Sequence, residues 1–209
     1  MRRGHPMRLA GVVLAAGEGR RFGPRPKVLL PYQGEPLVRR AAREALRAGL
    51  NPVGVVLGHR AEDVVPALAG LPVRVLLNPA WAMGMARSVR VAVRAAQAWQ
   101  ADGLLITLAD MPYVDAAVLR AVQQAFARTT RGIVTLDVQG QRVPPVAYHR
   151  DVWPALLRLE GDTGGRALFH RFPVHRVPWP DPRVALDIDT PGDWQRVRPI
   201  SAERGHEHA

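Results

Sequence analysis

Residues 9–27 read Leu9-Ala10-Gly11-Val12-Val13-Leu14-Ala15-Ala16-Gly17-Glu18-Gly19-Arg20-Arg21-Phe22-Gly23-Pro24-Arg25-Pro26-Lys27. From Leu9 to Leu14 the run is apolar without alternation. A strand buried on both faces, as in a parallel sheet, has this pattern. The run ends in Ala15-Ala16-Gly17, so the strand opens into a glycine-rich loop. Such a loop lets backbone N–H groups approach a phosphate. Arg20, Arg21, Arg25 and Lys27 bring cations to the same place. Lys27 is the only lysine in the chain, beside 28 arginines. A lone ammonium in so arginine-rich a sequence points to a position that needs a compact charge rather than a planar fork. Two familiar phosphate loops fail on spacing. The dinucleotide fingerprint needs G-x-G-x-x-G, but Phe22 follows where a third glycine belongs and Gly23 comes one residue late. The Walker A loop needs Ser or Thr after its lysine, and Lys27 precedes Val28.

Outward from this stretch, strand and helix patterns alternate. Helical spacing and caps predict helices over 36–50, 62–69, 85–99 and 115–128, with Pro36 near a first turn, Gly49 and Gly70 past C-termini and Asp115 as an N-cap. Apolar runs predict strands over 52–57, 73–77, 104–108 and 133–138, the last entering a hairpin through Gly140. Beyond Val143 the pattern loosens, with short helices over 153–159 and after Gly161-Asp162 and a strand over 184–188. The rhythm predicts an α/β fold: a Rossmann-like, mainly parallel sheet with helices on both faces. Right-handed crossovers place the strand C-termini along one edge, where open α/β sheets bind ligands. Residues 7–200 read as one domain, with loose ends at 1–6 and 201–209. His206 and His208 fall in the second of these and are not read as metal ligands.

Composition narrows the classes. The content is 47% hydrophobic and 22% charged, which is globular. Cysteine is absent, which excludes disulfides, thiolate metal sites and thiol catalysis. No apolar run is long enough for a membrane span. No signal-type apolar region follows the basic start, so the expected setting is cytoplasmic, without a membrane partner. The net charge of +11 is spread along the chain rather than gathered in a Lys/Arg run. It suits an anionic small molecule, and no nucleic-acid partner is expected.

Further segments complete the pattern. These are Asn78-Pro79-Ala80-Trp81-Ala82-Met83-Gly84-Met85-Ala86-Arg87-Ser88-Val89, Asp110-Met111-Pro112 and Ala185-Leu186-Asp187-Ile188-Asp189-Thr190-Pro191-Gly192-Asp193. With the first loop, their order resembles the MobA-like nucleotidyltransferases of molybdenum cofactor biosynthesis. The resemblance spans nearly the whole chain and leans toward the molybdenum cofactor cytidylyltransferase (MocA-like) branch. Sugar-phosphate nucleotidyltransferases share the outline. It implies the nucleotide-diphospho-sugar transferase fold. It also implies that Leu14, Ala15, Ala16 and Gly17 line the base and ribose, and that Gly19, Arg21 and Lys27 hold the triphosphate. Asn78, Gly84 and Ser88 would help read the base. Asp110, with Asp187 or Asp189, would hold Mg²⁺. Lys27, Arg21 and Asp110 are then the catalytic candidates. Met83 and Met85 are read as loop packing.

The implied reaction moves CMP from CTP to the terminal phosphate of molybdenum cofactor and releases pyrophosphate. The implied partners are a nucleoside triphosphate, a pterin-phosphate acceptor and a downstream molybdenum hydroxylase. Gly161-Asp162-Thr163-Gly164-Gly165-Arg166 resembles that branch's G-D-x-G-x-R, which makes Asp162 and Arg166 candidates for the acceptor phosphate; Asp162 is equally an ordinary N-cap. Thr190-Pro191 is likewise an ordinary helix start, and Asp110 before Pro112 could open a turn. One place departs from the branch: its usual G-H-P reads Val143-Pro144-Pro145 here, which leaves the acceptor open. The alternatives are a guanylyl or sugar-nucleotide enzyme on the same fold, a non-catalytic accessory factor and an NAD(P)-dependent reductase.

Overall fold

The computed structural model describes residues 7–23 and 25–197. The ends expected to be loose, 1–6 and 201–209, lie outside the described residues. The strands are β1 (Leu9–Ala15), β2 (Pro31–Tyr32), β3 (Glu35–Pro36), β4 (Val53–Leu57), β5 (Arg74–Leu77), β6 (Gly103–Leu108), β7 (Ile133–Val138), β8 (Gln141–His149) and β9 (Val174–Pro178). The helices are α1 (Leu37–Arg47), α2 (Ala61–Val64), α3 (Met85–Ala98), α4 (Ala116–Ala127), α5 (Trp153–Leu156) and α6 (Pro191–Val197).

Seven strands form the central sheet, in the order β5-β4-β1-β6-β8-β7-β9. Only β8 runs against the rest. The predicted mixed α/β architecture is therefore the one observed. β1 lies in the middle of the parallel part because its residues are apolar on both faces. Val13 and Ala15 pack on one side with Val38, Ala42 and Ala45 of α1 and Leu119 and Phe126 of α4. Ala10 and Val12 pack on the other with Val89, Val93 and Ala96 of α3 and Leu156 of α5. From β1 the chain passes to β4 on one side, and it returns through α3 to β6 on the other. The loops from these strands diverge at the C-terminal end of β1, which is where such sheets bind ligands.

Several boundaries differ from the sequence reading. Pro36 ends β3 and caps α1 in extended conformation. The helix expected over 62–69 stops at Val64 and tightens into a 3₁₀ turn, Val65–Leu68, containing Pro66; proline has no N–H to continue the α pattern. The strand expected over 184–188 does not form. Asp181 caps a 3₁₀ turn there, Pro182–Ala185, through the Arg183 N–H. Val184 and Ile188 are buried singly, in different apolar clusters. The last strand is β9 instead, parallel to β7. The small β2–β3 hairpin was also not expected. No helix among the described residues is long and apolar enough to cross a membrane.

Candidate active site

The glycine-rich loop folds as two short 3₁₀ turns, Arg20–Phe22 and Lys27–Leu29. Gly19 joins them to β1 with φ 61°, and a Cβ there would stand 2.8 Å from the Lys27 Cβ. Glycine therefore allows the loop to close on Lys27 and turn that side chain inward. The Lys27 ammonium donates to Asp110 Oδ2 at 2.7 Å and to Asp189 Oδ1 at 2.9 Å. The Lys27 and Asp110 side chains are 12% and 21% exposed; that of Asp189 is 52% exposed. Three distant segments thus meet at one ammonium. Asp110 follows β6, and the Ala109 N–H donates to the Leu14 carbonyl at 3.1 Å. The Ile188 N–H donates to the Asp110 carbonyl at 3.0 Å, which brings Asp189 alongside. Asp193 then secures Asp189 by accepting from its N–H and from the Thr190 N–H and hydroxyl.

The electrostatics follow from that packing. Burial pushes the Lys27 ammonium down, but the Asp110 charge and the hydrogen bonds to Asp110 and Asp189 together hold it above its ordinary value. Desolvation, with the charges of Asp189 and Asp110, pushes the Asp187 carboxyl up. Asp110 Oδ1 is buried and has no hydrogen-bond partner.

A cavity of about 640 Å³ opens beside this cluster, within the usual range for small-molecule sites. Of the residues expected at the site, Leu14, Ala15, Ala16, Gly17, Gly19, Lys27, Gly84, Ser88, Asp110 and Asp162 line it. Arg21, Asn78, Arg166, Asp187 and Asp189 do not line it. The 3₁₀ turn presents Arg20 to the cavity, and Arg20 pairs with Glu18 at 2.6 Å. Asn78 is buried: its amide donates to Ser88 Oγ at 3.0 Å and its carbonyl accepts from the Ala80 N–H. It holds the wall from behind. Asp189 contributes through Lys27.

The sequence reading pointed to the Asn78–Val89 stretch through Asn78, Gly84 and Ser88 but did not single out the other residues of the wall. Trp81, Ala82, Met83 and Met85 line the cavity, and Met83 is 56% exposed, so these methionines are not loop packing. Trp81 stands edge-on to His59 at 4.9 Å. Asp162 reaches the cavity as a cap on α3: its Oδ1 accepts from the Met85 N–H at 3.3 Å, and the Gly161 carbonyl accepts from the Ala86 N–H at 3.1 Å. The Val143-Pro144-Pro145 stretch lies in β8. There the pairing with β7 jumps from Thr135–Val146 to Leu136–Val143, which leaves both prolines in a bulge. Among the described residues, no group of three or more His, Cys, Asp or Glu is placed to hold a metal ion.

With this mainly parallel sheet and its glycine-rich loop facing acidic residues, the chain superposes on solved nucleotidyltransferases of the nucleotide-diphospho-sugar transferase fold. A nucleotidyl transferase from Methanothermobacter thermautotroptrophicus superposes with a TM-score of 0.78 at 27% identity, covering 91% of this chain and 96% of the other. Rv0371c from Mycobacterium tuberculosis superposes with a TM-score of 0.81 at 33% identity, covering 91% and 97%, and has also been solved in complex with manganese. The chain belongs to the MobA-like NTP transferase family, whose domain model matches residues 11–177. Among curated relatives, nicotine blue oxidoreductase of Paenarthrobacter nicotinovorans is 30% identical over 202 residues, 87% of this chain and 92% of its own. Purine catabolism protein PucB of Bacillus subtilis is also 30% identical over 202 residues, 91% and 96%.

Proposed function

We propose that this nucleotidyltransferase moves CMP from CTP to the terminal phosphate of molybdenum cofactor, with Mg²⁺ as its metal. The observation that carries the nucleotide half is the meeting of Lys27, Asp110 and Asp189 at the mouth of the glycine-rich loop. An acceptor phosphate oxygen attacks the α-phosphorus of CTP, the α–β anhydride bond breaks, and pyrophosphate leaves. The acceptor is already ionised near neutral pH and needs no general base. The protein's part is positioning and charge. Gly17 and Gly19 bring the backbone close to the phosphates, and Lys27 and Arg20 supply positive charge. Trp81 through Met85 form the wall for the base together with Ser88, which Asn78 holds from behind.

The donor set fits a hard divalent ion. Mg²⁺ takes one or two carboxylates and completes its shell with phosphate and water. Asp110 offers a buried oxygen without a partner, and Asp189 is beside it on Lys27. Such an ion, held by Asp110 and Asp189, would neutralise charge on the phosphate oxygens. The cytidylyl assignment rests on three stretches: Ala15-Ala16, the Asn78-to-Val89 wall and Asp110-Met111-Pro112. The acceptor assignment has less behind it, because Asp162 caps α3 and Val143-Pro144-Pro145 sits in a strand bulge.

The test is thermal melting with CTP, GTP, ATP or UTP, each with and without Mg²⁺, and with NADH. A ligand at about 100 times its Kd stabilises by roughly 2.7 kcal/mol, a shift on the order of 5–10 °C at this length. A Mg²⁺-dependent shift with CTP supports the proposal, and pyrophosphate release with molybdenum cofactor then tests the acceptor. A preference for GTP or UTP overturns the cytidylyl assignment. One relative carries an oxidoreductase name, so a shift with NADH and with no triphosphate would replace this reading with a reductase.

A further inference from the structure

We infer that Lys27 plugs the metal site until nucleotide binds, so that a divalent ion enters with the nucleotide and not before it. The inference rests on the nucleotide-and-metal reading above and concerns the order of binding. The Lys27 ammonium bonds to both carboxylates that would hold the ion, at 2.7 Å and 2.9 Å, and is itself largely buried. An ammonium and a divalent ion on the same pair of carboxylates repel at short range in a partly desolvated site, where such charges act strongly. Metal alone must therefore displace Lys27 from both carboxylates or bind beside it, and of the other acidic side chains on the cavity wall Asp162 already accepts from the Met85 N–H. The Glu18 carboxylate on the cavity wall is already paired with Arg20. A triphosphate changes the balance. Its negative charge takes over Lys27, and the freed carboxylates, with the phosphate oxygens, complete an oxygen shell for the ion. One side chain thus serves twice, as a stand-in cation before nucleotide binds and as a phosphate contact afterwards.

Because Lys27 is the only lysine, ¹³C-lysine labelling gives a side-chain NMR signal that reports this residue alone. In the wild-type chain, millimolar Mg²⁺ alone is expected to leave the Lys27 Cε signal in place, and CTP with Mg²⁺ to move it. Independently, Mn²⁺ binding without nucleotide is measured from the paramagnetic resonance of the free ion. Lys27→Met is expected to bind Mn²⁺ about tenfold more tightly than wild type, having lost the competing charge, and to lose turnover. A Lys27 signal that moves with Mg²⁺ alone overturns the plug. So does a folded Lys27→Met chain that binds Mn²⁺ no better than wild type. If no nucleoside triphosphate moves the signal, the nucleotide reading itself falls. The wild-type NMR measurement decides the matter should the variant not fold.

Discussion

Replacing Gly84 with alanine should loosen the cavity wall and the loop behind it together. Gly84 precedes α3 with φ 100° and ψ 173°, a conformation that side chains rarely adopt. A Cβ there would lie 2.4 Å from the carbonyl carbon and oxygen of Gly161 and 2.6 Å from the Asp162 nitrogen. These are backbone atoms and cannot swing aside, so the 161–166 segment must back away from α3. Two hydrogen bonds go with it, Ala86 N–H to Gly161 and Met85 N–H to Asp162. Each such bond is worth about 1 kcal/mol net, the exposed second one less. Backbone strain adds about 1–3 kcal/mol. The sum is about 2–4 kcal/mol, which lowers Tm by about 5–15 °C in a chain of this length. Differential scanning calorimetry reads the Tm, and the triphosphate melts read the cavity. Nucleotide affinity should fall as well, since Met85 and Asp162 both line the cavity. A Gly84→Ala chain that melts within about 2 °C of wild type and binds triphosphate normally would refute the close interlock of Gly84 with Gly161.

Asp110→Asn keeps the shape but removes the charge facing Lys27; pyrophosphate release should fall about a hundredfold or more and stop responding to Mg²⁺, and an unchanged Mg²⁺ dependence would remove Asp110 from the metal site. His149 stacks on Phe126 at 3.8 Å with its Nε2 2.8 Å from Thr129 Oγ1, and burial pushes its proton affinity down. The folded chain therefore holds the ring neutral while the unfolded chain protonates it near its ordinary value of about 6.5. Its contribution is complete above that value and is lost as the pH falls through the lower folded value. Melting across pH 8 to 5 should show wild type losing stability more steeply below about pH 6.5 than His149→Gln, and parallel curves would refute it.

The elements legible in the sequence are those whose burial leaves a simple pattern. β1 and β4 are covered on both faces and read as apolar runs, as does β6 but for Thr107, and the spacing of Val89, Val93 and Ala96 marks the inner stripe of α3. β9 escaped because it is an edge strand: His175 and Arg176 are exposed and Pro178 ends it, so neither a run nor a clean alternation is present. Val184 and Ile188 misled for the opposite reason. Each is apolar because it fills a separate pocket, and their spacing imitates a strand. At the site, sequence order places Lys27, Asp110 and Asp189 near one sheet edge. It does not say which arginine a 3₁₀ turn presents, and the cavity receives Arg20 where the motif had pointed to Arg21. Nor does it separate a residue that touches the cavity from one that holds its wall. Asn78 and Ser88 are ten positions apart and bonded, yet only Ser88 faces inward.

The division of labour among the acidic residues follows from where each is anchored. Asp110 stands on the end of β6, a central strand bonded to β1 along its length, so its position is as rigid as the sheet. Asp189 is carried by the turn before α6 and reaches the site through the Ile188–Asp110 backbone bond and the Asp193 cap. It is also the more exposed of Lys27's two partners. A rigid, half-buried carboxylate with a free oxygen suits a ligand that must hold one geometry for an ion. A more exposed carboxylate on a terminal turn suits a contact that can be given up when the ammonium changes partners. On the proposed reading, the same geometry would make Asp110 the residue on which a metal depends and Asp189 the one that sets how firmly Lys27 is held before nucleotide binds.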